Sequence, residues 1–501
     1  MGQAYLLGFD VGSSSVKATL LETATGKAVA TATSPKKEMG MIAKQPGWAE
    51  QDPYDWWLHV KNAVAEIRET ANVNLEDVGA IGISYQMHGL VTVDGDGNPL
   101  RPAIIWCDSR AVPYGRQAFE AIGPEKCLKH LLNSPGNFTA AKLAWLKENE
   151  PELFGKINKI MLPGDWIAYK LTGRITTTPS GLSEGVLWDF NRNDIAEMVM
   201  EHFGFPHDFI PEITPSFAVQ GEVTAGAAEE TGLRAGTPVA YRGGDQPNNA
   251  LSLNVLNPGE VAATAGTSGV VYGVGDQTNY DPESRVNTFV HVNHSDKAPR
   301  YGILLCVNGT GILNSWLKQN IMTLDGVSLD YNEMNTLAGT VAPGSDGLLV
   351  LPFGNGAERT LGNRSIGASV HGLEFNSHTK AHVLRAAQEG IVFALNYGLE
   401  VMKSTGVEAR TVRAGDANMF MSPIFREAFA TLSGARLELY NTDGSRGAAR
   451  GSGIGAGIYD NFVEAFSGLD TVATVEPDAG KAEAYTEAYG RWKSVLEKTI
   501  T

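Results

Sequence analysis

Asp10 stands two residues before Gly12-Ser13-Ser14, and Asp245 directly follows Gly243-Gly244. A turn of glycine and small hydroxyl residues leaves backbone N–H groups open to an anion. A carboxylate just ahead of such a turn can place Mg²⁺ beside a phosphate, directly or through water, because Mg²⁺ takes oxygen ligands and only one or two from protein. The plainer reading of Asp10 is an Asx turn that bonds its own backbone. Half a chain later, Gly266-Thr267-Ser268-Gly269 repeats the first turn between apolar runs. Two such hairpins, one per half, would grip a polyphosphate from two sides, which points to an enzyme that uses ATP. Asp245 follows the apolar run Pro238-Val239-Ala240-Tyr241, and the two glycines before it let a ligand approach. It suits a general base that takes a proton from an attacking hydroxyl during phosphoryl transfer. Its plainer reading is a helix N-cap, with Pro247 just behind, and the two roles are compatible.

Gln86-Met87-His88-Gly89 ends an apolar run that reads as a buried strand. Singly, a histidine or methionine there is an ordinary structural residue. Together they stand where ligands of α/β sheets gather, beyond a strand's carboxyl end. Trp106-Cys107-Asp108-Ser109-Arg110 adds an aromatic wall, an acceptor and a donor, the set a polyhydroxy ligand needs. The plainer alternative is an Asp108–Arg110 ion pair. Gly451-Ser452-Gly453-Ile454-Gly455-Ala456 fits a loose dinucleotide pattern but lacks the strand directly before it, so it reads as the small-residue face of a tightly packed helix.

Elements must position these groups. Strands are expected at 5–9, 16–22 and 29–34, then a helix with Asp52 as N-cap and Pro53 as its first residue. Trp56, Val60, Ala63, Val64 and Ile67 share one face of it. A buried strand follows at 78–84. The second half shows strands at 302–307 and 411–413 and a long helix near 380–403. Strand meander, helix, strand, helix in both halves is an α/β pattern with mixed sheets. At 501 residues, two domains of about half the chain each are expected. The split falls at 1–250 and 251–501, with small-molecule binding in the cleft that separates them.

Forty basic against 56 acidic residues give a net charge of −16, which argues against nucleic acid as a partner. Phosphates must then be held by local devices. Cys107, Cys127 and Cys306 are few and scattered, as in reduced cytoplasmic proteins. A short apolar start broken by Asp10 predicts no signal peptide, and no run is long enough to span a bilayer. A cytoplasmic protein without membrane partners is expected, and a homodimer is left open.

With these residues in place the chain resembles the FGGY family of carbohydrate kinases, nearly end to end. The resemblance rests on Gly8-Phe9-Asp10-Val11-Gly12-Ser13-Ser14, on Gly47-Trp48-Ala49-Glu50-Gln51-Asp52-Pro53 and on Gln86-Met87-His88-Gly89. It continues in Trp106-Cys107-Asp108-Ser109-Arg110, Leu162-Pro163-Gly164-Asp165-Trp166, Gly243-Gly244-Asp245, Gly266-Thr267-Ser268-Gly269 and Glu358-Arg359-Thr360. It implies duplicated actin-like, ribonuclease-H-like domains that close on ATP, Mg²⁺ and a sugar. Asp245 would be the catalytic base, and Asp10 would place Mg²⁺ and the transferring phosphate. Gln86, Met87, His88, Trp106, Asp108, Arg110, Asp245 and Gln246 would meet the sugar. Gly12, Ser13, Ser14, Lys17, Gly266, Thr267, Ser268, Gly309, Gly415, Asp416 and Asn418 would hold ATP. The Gln-Met-His-Gly run resembles the branch of the family that phosphorylates ketopentoses such as D-xylulose. Ala414-Gly415-Asp416-Ala417-Asn418 departs from the family's Gly-Gly-Gly-Ala adenosine loop, and Gln246 stands where Asn is common. The alternatives are a kinase for another polyol or sugar acid on the same fold, or a sugar-responsive or chaperone-like ATPase.

Overall fold

The computed structural model describes residues 4–500 apart from 72, 325 and 326. It contains two compact units. The first comprises Met1–Asn254, Phe289–Tyr301 and Thr442–Leu469; the second comprises Val255–Thr288, Gly302–Asn441 and Asp470–Thr501. The first segment of the first unit thus stops close to the expected boundary at 250. A helix from near the end of the chain joins it, which a division into continuous halves does not provide.

The first unit is built on a six-stranded sheet in the order Phe217–Glu222, Pro238–Gly244, Val78–Tyr85, Tyr5–Val11, Val16–Glu22, Ala28–Ser34. Tyr5–Val11 lies parallel to Val78–Tyr85, which lies parallel to Pro238–Gly244; the other pairs are antiparallel. The helix Pro53–Ala71 begins where Asp52 accepts the Tyr54 amide at 3.0 Å. It buries Trp56, Val60, Ala63, Val64 and Ile67 against one face of the sheet. Val60, Val64 and Ile67 each stabilise the unit by about 1.5–3 kcal/mol. The helix Gly444–Gly455 packs against the same sheet. A Cβ on Gly8 would lie 1.9 Å from the Ser445 carbonyl, and one on Gly82 would lie 1.9 Å from that of Ala448. Only glycine allows backbones this close. The small-residue run at 451–455 is the packing face the sequence suggested, with Gly451 against the Tyr241 ring.

The second unit repeats the plan. Six strands of its seven-stranded sheet run Tyr301–Val307, Gly269–Gly275, Glu260–Ala265, Thr411–Gly415, Arg436–Tyr440, Thr471–Val475. Glu260–Ala265 and Gly269–Gly275 form an antiparallel hairpin, while Thr411–Gly415 is parallel to both of its neighbours. The helix Lys380–Ser404 and the helix Ala482–Ile500 cover this core, with Trp492 Nε1 donating to the Val350 carbonyl at 2.8 Å.

Candidate active site

In the first unit, register decides what meets what. Asp10 pairs with Ser84 across one parallel ladder and Ser84 with Gly243 across the next; one step on come Val11, Tyr85 and Gly244. Three neighbouring parallel strands therefore end level. Beyond their carboxyl ends lie the turn after Val11, the Gln86–His88 segment and Asp245. This is the edge at which open α/β sheets bind ligands.

Asp10 accepts the Ser84 hydroxyl at 2.8 Å. Burial raises its pKa, Ser84 opposes that rise, and nearby Asp443 adds to it. Gly444 is required beside it, because a Cβ there would lie 2.4 Å from Asp10 Oδ2. Asp245 is the first residue of the helix Asp245–Ser252, and Gly244 takes the cap position. Its pKa is pushed up to about 7, chiefly by burial and then by the charge of Asp10, with the Gln246 amide opposing. Neither acid is sealed from solvent. A carboxylate near 7 is a competent proton acceptor at neutral pH.

The first hairpin turns through Gly12–Ser15, with Gly12 N–H donating to Ser15 O at 3.0 Å. Ser13 O accepts Gln51 Nε2 at 2.7 Å, and Trp106 Nε1 donates to Ser13 Oγ at 3.3 Å. Ser14 is exposed. Lys17 is committed elsewhere, to Asp443 at 2.7 Å. Met87 is nearly buried beside Gly244. His88 has a left-handed backbone, φ 62°, with its ring Nδ1 2.9 Å from the Glu184 carbonyl and its face edge-on to Phe138 at 4.7 Å. A non-glycine residue held there is worth attention. Gln246 is partly exposed beside Asp245.

Three expected sugar ligands have different work. Asp108 accepts from the Ala49 amide at 2.6 Å and from the Arg110 guanidinium at 2.7 Å. Arg110 also pairs with Glu50 at 2.7 Å and lies 3.7 Å over the Trp48 ring. Both side chains are about 1% exposed or less, so this is the buried ion pair of the plainer reading. Gln86 is buried and donates to Gln51 Oε1 at 3.2 Å, which ties it to the hairpin brace. Trp106 keeps half its surface exposed.

In the second unit the hairpin closes with Ala265 opposite Gly269. Gly311 N–H donates to Gly266 O at 2.8 Å, and Thr310 Oγ1 bonds the Gly266 and Thr267 carbonyls at 3.0 and 3.1 Å. Thr267 is exposed and Ser268 half-exposed. Beside the turn lies a cavity of about 660 Å³ that Gly266, Thr267, Asn314, Lys318, Tyr331 and Asn418 help to line. That volume suits a nucleotide-sized ligand. Lys318 sits 4.3 Å over the Tyr331 ring. Asn418 reaches this cavity, but Asp416 pairs with Arg426 at 2.5 Å, and Gly415 is paired into the sheet opposite Tyr440. Gly309 serves packing, since a Cβ would lie 1.6 Å from the Pro352 carbonyl. The sequence reading missed Asp443, Glu184 and Lys142 in the first unit, and Tyr331, Asn314 and Lys318 in the second. Only Asn308-Gly309-Thr310-Gly311, directly after a strand, signalled part of that set.

Two units that each carry this sheet plan are the actin-like, ribonuclease-H-like ATPase fold. The description "FGGY family of carbohydrate kinases, N-terminal domain" matches residues 5–252, and the C-terminal domain of the same family matches residues 261–451. The xylulose kinase of Bacillus subtilis is 29% identical over 99% of this chain and 97% of its own. That of Escherichia coli is 28% identical over 96% of each. The crystal structure of xylulose kinase from Rhodospirillum rubrum superposes with a TM-score of 0.87 at 26% identity, covering 99% of this chain and 98% of that one. The chain belongs to the FGGY family of carbohydrate kinases and is a sugar-directed phosphotransferase. Among the described residues no helix is long and apolar enough to cross a membrane.

Proposed function

We propose that the chain transfers the terminal phosphoryl group of ATP to the 5-hydroxyl of a ketopentose, D-xylulose above all. The observation that carries this reading is the level ending of three parallel strands, which gathers Asp10, Met87-His88 and an Asp245 poised near neutrality. Asp245 accepts the hydroxyl proton while the sugar oxygen bonds to phosphorus and the bond to the ADP oxygen breaks. Met87 and His88 orient the acceptor. The N–H groups of the two hairpin turns stabilise phosphate charge, which phosphoryl transfer needs more than covalent catalysis.

Asp10 fits a magnesium-linked role: it is a partly accessible carboxylate at the mouth of a phosphate-type turn. Among the described residues no group of three or more His, Cys, Asp or Glu side chains could hold a metal alone. Mg²⁺ would therefore hang from Asp10 and the nucleotide's own phosphates, where it neutralises charge on the transferring group.

The acids Asp10 and Asp245 speak for a neutral acceptor over a sugar acid. Nearby Lys142 is fully buried and holds the His88 carbonyl at 2.6 Å. Coupled ADP release over a panel of neutral ketoses, polyols and aldonates tests the assignment. The highest kcat/KM is expected for D-xylulose; a preference for an aldonate or glycerol would overturn it.

A further inference from the structure

Glu184 closes the helix Pro179–Glu184, its side chain is 1% exposed, and its carboxyl meets the Tyr85 hydroxyl and the His88 amide. Burying a carboxyl costs free energy, so one kept here is expected to serve something. Its surroundings show what. A Cβ on Gly244 would lie 2.9 Å from Glu184 Oε2 and 2.6 Å from Met87 Cγ, so the carboxyl and Met87 share the space left by the missing side chain of the residue before Asp245. The carbonyl of Glu184 holds the His88 ring at 2.9 Å, and Lys142 Nζ holds the His88 carbonyl from the other side. One residue thus touches both the turn that carries Met87-His88 and the turn that carries the base.

We propose that Glu184 is a positioning residue for the acceptor reaction, its carboxyl packed with Met87 against Gly244 so that the sugar-reading turn and the Asp245 turn move as one. The proposal rests on the reading of Asp245 as base and of His88 as a sugar ligand. The groups that face the carboxyl are Asp245, Asp165, Tyr85, the His88 amide and Lys142, with Arg242 near Tyr85. Burial, with Asp245 and Asp165 adding to it, holds the Glu184 pKa well above the carboxylate range.

Glu184→Leu and Glu184→Gln, compared in the full chain, test the proposal. The leucine variant keeps the volume but loses the polar head. It is expected to lose tenfold or more in kcat/KM for the sugar, while KM for ATP stays within about twofold. The amide, which resembles the protonated acid, is expected to restore most of that loss. The sum of separate losses should exceed the loss in a Glu184→Leu, His88→Ala double variant, since both act on one turn. A leucine variant as active as wild type would overturn the proposal, and so would equal damage to the sugar and ATP sides. Failure of the Asp245 assignment is separately visible, as retained turnover in Asp245→Asn.

Discussion

The two glycine turns, Gly12–Ser15 in the first unit and Gly266–Ser268 in the second, share a backbone plan and differ in what surrounds them. Two residues ahead of the glycine, the first has Asp10 where the second has Thr264. Across the hairpin, Asp10 faces Lys17 and Thr264 faces Val270. The first turn is braced by side chains, Gln51 and Trp106; the second is braced by Thr310 and Gly311 and opens beside a cavity. A repeated fold has thus duplicated the N–H device without duplicating the acid. On the proposed reading, the first unit carries the proton chemistry and the second the room for a nucleotide.

The comparison can be broken most sharply at Asp245. Asp245→Asn keeps the shape and removes the proton acceptor, so kcat is expected to fall about 10²–10⁴-fold. Calorimetric affinities for sugar and ATP should stay near wild type. Retention of more than about a tenth of kcat, a barrier change under about 1.4 kcal/mol, would refute the base assignment.

The next largest effect separates the two turns. Asp10→Ala is expected to lower kcat about 10–100-fold and to raise the Mg²⁺ concentration needed for half activity. Thr264→Ala, its structural counterpart, should leave both within about twofold. Equal effects from the two variants would mean that the hairpins are chemically equivalent.

His88→Ala should weaken kcat/KM for the sugar by about 1–3 kcal/mol through the loss of a buried hydrogen bond. ATP affinity measured without sugar should change less than about threefold. A strong loss of ATP binding with sugar kinetics unchanged would reverse the ligand assignments of the two units.

The smallest effect is expected at Asp416→Asn, which removes a half-exposed pair with Arg426. Denaturant titration should show about 0.2–1 kcal/mol of destabilisation, with KM for ATP unmoved. A large rise in that KM would restore Asp416 as a nucleotide ligand.

Much of this architecture was legible in the sequence. The strands near 5, 16, 29 and 78, the Asp52-capped helix and the long helix at Lys380 all form where turn residues and apolar spacing placed them. Asp10 and Asp245 could be singled out because glycines beside an acid mark close backbone approach. Asp443 and Glu184 could not. Asp443 joins Lys17 only because a helix from the far end of the chain packs on the first sheet. Glu184 looks like any helix-ending acid until the niche at Gly244 is seen. Asp108 and Arg110 show the other side: donor and acceptor types fit a sugar, and in the fold Glu50, Trp48 and the Ala49 amide already engage them. Composition says which groups can bond, and only tertiary placement says which are already bonded.

The central claim is that Asp10 and Asp245 stand together at one row of strand ends, so that the charge of one adds to burial in raising the pKa of the other. It is tested most directly by the pH dependence of kcat/KM for the sugar in wild type and in Asp10→Asn. A base works when deprotonated, so wild-type activity should fall as pH drops through about 7. Removing the negative charge of Asp10 makes ionisation of Asp245 easier, and the limb should then move to lower pH. A limb that stays in place in the variant, or moves to higher pH, would contradict the account.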